Sequence, residues 1–375
     1  MKNRNPLYVV LLLISLIASC QKNNPVVIAS RNFYMGCTPW PADFTNAELD
    51  TAYAFINDHC DIVSHHFDDG IPYNEAFNNL PMPTNLVQDV QTRKTKTATG
   101  KKILLSVAAL DLSRKAKAAY YSKDTASSST INYWQQIPFN DPRMVTAYIN
   151  YISYLIDQLN PSFVNYGVES NSLAWDNATF SLYKDFLRQV YAQLKTKYPS
   201  LPFFVSFMVD ESSQGFANAT QLLPYTDYVG LSAYPYVAIS SSGNGNTDPS
   251  LFPAGYFERY INMDNGKPFL FAETGYLAEN LSIPSLQLNK QGTAAWQQAY
   301  LQMVCNLCNK YNGKMLIWFC SKDYDAGDST LKSLGLYTDV FGIWQDIGFK
   351  TSTGAARPSY QTWLQWMAIK NSNPN

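Results

Sequence analysis

Apolar residues recur along the chain in two rhythms. Short apolar runs rich in β-branched and aromatic residues occupy 33–37, 61–67, 102–108, 163–169, 203–209, 227–234, 268–273 and 314–319. Each is long enough for one strand and apolar enough to be covered on both faces, as strands of a parallel sheet are. Between them the period lengthens to that of a helix. The stretch 47–60 places Leu49, Tyr53 and Ile56 on one face. Asp141-Pro142 supplies a helix start for 143–159, which stops before Asn160-Pro161. Leu182, Phe186, Val190 and Leu194 stack along 180–198, which ends at Pro199; 294–311 and 359–367 repeat the pattern.

Eight strands joined by helical crossovers predict one α/β domain, a closed (β/α)₈ TIM barrel over 31–370. An open doubly wound sheet would carry a glycine-rich loop after its first strand. The sequence there is Gly36-Cys37-Thr38-Pro39-Trp40, without that spacing. The stretches 111–140 and 240–246 read as loops, the first carrying Tyr120, Tyr121, Tyr133 and Trp134.

The N-terminus departs from this alternation. Lys2 and Arg4 precede an apolar run from Leu7 to Ile17, too short to span a bilayer. It ends in Ile17-Ala18-Ser19-Cys20, and polar residues follow from Gln21 to Asn24. This resembles a bacterial lipobox. The resemblance implies a signal peptide over 1–19, lipidation of Cys20 and a tether over 20–30. The chain would then sit in the cell envelope, touching membrane only through its acyl chains.

With 28 basic against 29 acidic residues the net charge is −1, which gives no footprint for nucleic acid. The five cysteines after Cys20 are odd in number and have no disulfide-framework spacing. Histidines number three: His59, His65 and His66. That is a poor set for a catalytic metal, and no metal or cofactor is expected. Aromatic residues make up 14%, a supply of flat faces for sugar rings or for an ordinary core.

Barrel enzymes work at the C-terminal ends of their strands. Strand four ends at Glu169, in Asn165-Tyr166-Gly167-Val168-Glu169-Ser170-Asn171. Strand seven ends at Glu273, in Phe271-Ala272-Glu273-Thr274-Gly275-Tyr276. A charge that caps an apolar run is costly in a core and sensible at a mouth. Two carboxylates facing across the mouth suit retaining glycoside hydrolysis, in which such pairs sit about 5–5.5 Å apart.

These residues, with 227–235 on strand six and Leu316-Ile317-Trp318 on strand eight, resemble the glycoside hydrolase clan whose glutamates lie on strands four and seven. Within it the chain is most similar to the endo-β-1,4-galactanases. The resemblance implies that Glu169 is the acid/base and Glu273 the nucleophile. It also implies that Tyr234 lies near the nucleophile and that Trp318 is a sugar platform. Two departures stand out: Val168 replaces the asparagine usual before the acid/base, and no early-strand arginine occupies its usual place. Asn171 or Asn165 are candidate substitutes for the missing asparagine. Further expected sugar contacts are His66, Trp40, Trp134 and Trp175. His65 and His66 point to opposite faces by strand alternation, so at most one faces inward. Asp111, Asp210 and Glu211 also end strands and compete for an acidic role. A barrel that binds glycans without cleaving them is the alternative function, and a metal-dependent amidohydrolase or deacetylase the more distant one.

Overall fold

The computed structural model describes residues 30–121, 126–172, 175–239, 245–264 and 266–372. The expected signal peptide, Cys20 and nearly all of the tether lie outside the described residues, as do 240–244 of the loop after the sixth strand. Eight parallel strands close into a barrel: β1 (Tyr34–Cys37), β2 (Ile62–Phe67), β3 (Lys102–Val107), β4 (Phe163–Gly167), β5 (Phe203–Met208), β6 (Val229–Ala233), β7 (Phe269–Thr274) and β10 (Met315–Trp318). Their order round the barrel is β1-β10-β7-β6-β5-β4-β3-β2. Leu281–Ile283 (β8) and Leu288–Lys290 (β9) form a small hairpin after β7.

The strands sort their side chains by alternation. Inside lie Tyr34, Ile62, Leu104, Phe163, Phe204, Leu270, Met315 and Ile317, an apolar plug in the barrel floor. Outside lie Met35, Val63, Leu105, Val164, Val205, Leu231, Phe271 and Leu316, packed under the helices. The plug needs glycines beside its largest members. A Cβ on Gly36 would come within 2.4 Å of the Ile62 carbonyl oxygen, and one on Gly230 within 2.7 Å of that of Val205.

Towards the mouth the interior turns polar, with Ser64, Ser106, Asn165, Ser206 and Ser232 all buried. Asn165 donates to Ser206 Oγ at 3.2 Å, and Ser206 Oγ accepts from the Glu169 backbone N–H at 3.0 Å. This pairing ties the end of β4 to β5.

The two strands expected to carry the glutamates are the irregular ones. In β4 the pairing with β5 slips between Asn165 and Gly167. In β7, Phe271 pairs with Leu231 but Glu273, not Ala272, pairs with Ser232. The β10 side shows the same extra residue, with Leu316 opposite Phe271 and Trp318 opposite Thr274. A bulge re-aims the residues beyond it. Strict alternation from Phe269 and Phe271 would turn Glu273 out under the helices. The bulge returns it to the mouth and leaves Thr274 outside, bonded to the Ala233 carbonyl and the Tyr300 hydroxyl.

The expected helices form over Asn46–His59, Pro142–Leu159, Asn177–Lys197, Ala294–Lys310 and Pro358–Ala368. The 111–140 stretch is not loop throughout. Ser128–Gln136 is a helix, capped by Ser127 Oγ accepting from the Thr130 N–H. No helix among the described residues is long and apolar enough to cross a membrane. Cys37, Cys60, Cys305, Cys308 and Cys320 are all buried free thiols.

Candidate active site

Glu169 and Glu273 stand in one hydrogen-bonded network at the mouth. Ser232, on β6, donates its hydroxyl to Glu169 Oε1 at 2.7 Å, and its backbone lies in register with Glu273 on β7. Two residues on, Tyr234 donates its phenol to Glu273 Oε1 at 2.6 Å. One strand end therefore serves both carboxylates. His66 Nδ1 lies 3.4 Å from Glu273 Oε2, and the side chains of both are mostly covered.

Arg114 completes the set. Its Nε sits 2.8 Å from Glu169 Oε2, and its side chain is 7% exposed. Burial alone would raise the carboxyl of Glu169. The Arg114 charge, the Ser232 and Arg114 hydrogen bonds and His66 outweigh that and hold it below the usual carboxylate range. Burial pulls His66 down, but Asp68 and Glu273 outweigh it and His66 holds its proton above the ordinary imidazole range. Burial, then the Glu273 charge, pushes Tyr234 far up, so it remains a neutral donor.

An aromatic wall continues from Tyr234. Its ring lies 5.9 Å from that of Trp344, which is 6.0 Å from Phe319, which is 5.5 Å from Trp40. The indole N–H groups of Trp40 and Trp344 and Nε2 of His66 are buried without a hydrogen-bond partner among the described residues. Natural interiors rarely leave such donors unpaired.

Four expected sugar contacts are placed elsewhere. Trp318 faces out of the barrel, fully buried, stacked on Phe349 at 5.1 Å and donating to the Ile347 carbonyl at 2.8 Å. Alternation along β10 gives the mouth to Phe319 instead. Trp134 is buried with its ring stacked on Tyr73 at 5.6 Å. Trp175 is wedged between Phe139 and Tyr183, and its indole donates to the Arg114 carbonyl. Asn171 is wholly buried and spends its amide on the backbone of Met208 and Gly215. It stands in for no sugar-binding asparagine, and Asn165 is occupied by Ser206.

Two of the competing acids, Asp210 and Asp111, have structural roles. Asp210 caps the turn into Ser213–Leu222 by accepting from the Ser212 N–H at 3.0 Å. Asp111 organises its own loop, accepting from the N–H groups of Lys115 and Ala116. His65 points outward and bonds Thr97 Oγ1 at 3.1 Å, so His66 is the inward histidine. Glu279, Asp323 and Asp346 gather carboxylate oxygens within 4.8 Å of one another, but Arg357 already bonds Glu279 and Asp323. Sequence reasoning missed Arg114, Ser232, Phe319 and Trp344. Only Phe319 and Ser232 had a signal to follow, the alternation of their strands.

No protein-family model and no curated protein matches the chain. Solved structures do. A GH5_18 protein from Streptomyces cattleya, in complex with Manβ1-4GlcNAc, is similar over 92% of this chain and 82% of its own, with TM-score 0.61 and 12% identity. The GH53 catalytic domain from Ignisphaera aggregans is similar over 93% of this chain and 99% of its own, with TM-score 0.56 and 16% identity. A GH5_18 protein from Bifidobacterium longum subsp. infantis gives TM-score 0.58 at 14% identity, over 92% and 80% of the two chains. This chain has their fold. At such identities the likeness extends to the (β/α)₈ barrel and no further, so the chemistry must be argued from the mouth itself.

Proposed function

We propose that the protein is a retaining glycoside hydrolase, with Glu273 as nucleophile and Glu169 as acid/base. The observation that carries this reading is that one strand end, Ser232 to Tyr234, hydrogen-bonds both glutamates over a single mouth. In the first step a Glu273 oxygen bonds to the anomeric carbon as the glycosidic C–O bond breaks, and Glu169 gives its proton to the departing oxygen. In the second, water attacks the anomeric carbon and gives a proton to Glu169, and the ester to Glu273 breaks. Tyr234 orients the nucleophile. Trp40, Phe319 and Trp344 offer apolar faces, and the unpaired indole N–H groups of Trp40 and Trp344 suit a hydroxyl-rich ligand. A β-linked, galactan-like glycan is the preferred substrate class, on the strength of the motif resemblance.

Lipidation of Cys20 belongs to the same proposal. The described chain enters at Ser30, below β1, on the side opposite the mouth. Loss of membrane fractionation in Cys20→Ala is the expected outcome, and unchanged fractionation would remove the anchor.

A second reading has its own observation. Glu169 is held ionised by Arg114, which is not the resting state of a ready proton donor, and that favours a barrel that binds glycans without cleaving them. A panel of polysaccharides and aryl glycosides decides between them. Hydrolysis lost in both Glu169→Ala and Glu273→Ala, with azide restoring Glu273→Ala as a glycosyl azide of inverted configuration, is expected. Glycan binding with no turnover, unaltered by Glu273→Gln, would establish the binding barrel instead.

A further inference from the structure

Among the described residues, six that are not glycine hold a positive φ. Three are asparagines, Asn79, Asn160 and Asn312, which adopt the left-handed region readily, and Gln287 turns the β8–β9 hairpin. The other two are Arg114 at 56° and Glu169 at 49°, the two ends of one ion pair. A left-handed arginine or glutamate is strained and persists only where its surroundings over-determine it.

Those surroundings are visible. The Arg114 N–H donates to the Asp111 carbonyl at 3.0 Å, and its Nη1 donates to the same oxygen at 2.9 Å. The Asp111 carboxylate is bound by Ser113 Oγ and by the N–H groups of Lys115 and Ala116. Trp175, from the loop after β4, donates to the Arg114 carbonyl. On the other side the Glu169 N–H is held by Ser206 and its Oε1 by Ser232. Both backbones are fixed so that guanidinium and carboxylate meet.

We propose that Arg114 is a positioning residue for Glu169: its guanidinium fixes which way the carboxylate points at the barrel mouth. The same charge helps hold that carboxyl below its usual range. The inference rests on the assignment of Glu169 as acid/base. An anionic Glu169 is the form that accepts a proton from water in the second step. The first step needs the protonated form, so Arg114 places an alkaline limit on that step alone. The charged and titratable groups around Glu169 are Arg114 from the β3 loop, His66 from β2, Tyr234 from β6 and Glu273 from β7. Asp68 acts on Arg114 and His66. Of the two cations, Arg114 alone bonds Glu169, and it stays charged throughout the working range.

The test has two arms. In the full chain carrying ¹³C-labelled glutamate, with the signal assigned by Glu169→Gln, Glu169 is expected to titrate below the ordinary glutamate range. It should move upward in Arg114→Gln and stay low in Arg114→Lys. In the second arm, the alkaline limb of kcat/KM on an aryl glycoside with a poor leaving group should move upward in Arg114→Gln. It should not move for a dinitrophenyl leaving group, which departs without a proton. An ordinary or raised titration of Glu169 in the wild type overturns the proposal even if Arg114→Gln fails to fold. So does a titration unmoved in Arg114→Gln. Absence of all turnover, with the titration behaving as stated, would remove the hydrolase reading and leave the clamp standing.

Discussion

Trp318 and Phe319 are neighbours with opposite fates. Trp318 ends β10 and Phe319 follows it, and the motif draws attention to the tryptophan. The alternation of that strand decides otherwise, since Met315 and Ile317 fill the plug while Leu316 and Trp318 pack under the helices. Trp318→Ala should therefore behave as a core deletion, costing about 3–5 kcal/mol in urea unfolding. Its KM at temperatures where it stays folded should be near that of the wild type. Phe319→Ala should show the reverse. An aromatic face contributes ~0.5–1.5 kcal/mol to stacking, so KM should rise roughly 2- to 10-fold with a smaller loss of stability. A KM defect larger in Trp318→Ala than in Phe319→Ala would put the platform back on the tryptophan. The same scale shows what was hidden. Arg114 stands in a loop whose sequence, Leu112-Ser113-Arg114-Lys115, has no pattern that distinguishes it from Lys115 beside it. Its role depends on Asp111 folding that loop back on itself, a tertiary fact.

Strands were the most legible elements, because burial on both faces forces continuous apolar runs, and all eight runs became barrel strands. Helices followed where a full turn of apolar periodicity was present. Tyr73–Asn78, Thr84–Lys96, Ser213–Leu222 and Asp325–Ser333 escaped for lack of it; Thr84–Lys96 buries only Leu86 and Val90. The bulges in β4 and β7 were illegible. An extra residue leaves composition unchanged and alters only which side the next residue takes, yet it decides where Glu273 points. Glycines in the plug carry a testable consequence. Gly36 lies where β1 meets β2 and β10, with the Ile62 carbonyl on one side and Ile317 Cδ1 on the other. A methyl there must push a backbone carbonyl, which a flexible side chain's retreat cannot relieve. Gly36→Ala is expected to lose about 1–3 kcal/mol of stability and several degrees of Tm. Because the strain is in the floor, the pH dependence of turnover should stay that of the wild type; unchanged Tm would mean that the floor is looser than its contacts imply.

At the scale of the molecule the barrel is clasped at both ends by buried arginines. Below, Arg31 bonds Asp61 and the Ile369 carbonyl, tying the first described residues to the last helix. Above, Arg357 bonds Asp323 and Glu279, joining the loops after β10 and β7. The upper clasp has more acid than base. Asp346 lies beside it, and burial first, then the charges of Asp323, Asp325 and Glu279, raise its carboxyl to about 7, with Arg357 opposing. A group whose proton is held more tightly in the folded chain than in the unfolded one stabilises the fold when protonated. That contribution is complete below the unfolded value of 3.8 and is lost as pH rises through about 7. Asp346→Asn removes the charge at every pH. Compared with the wild type it should gain about 1–2 kcal/mol at pH 8, less than the full shift would give because the carboxyl keeps some solvent contact. The gain should shrink through neutrality and vanish near pH 4. Paired urea melts of the two proteins across that range measure the difference directly. A gain independent of pH would trace it to packing, and a loss at pH 8 would mean that the Asp346 carboxylate is bound by a cation there.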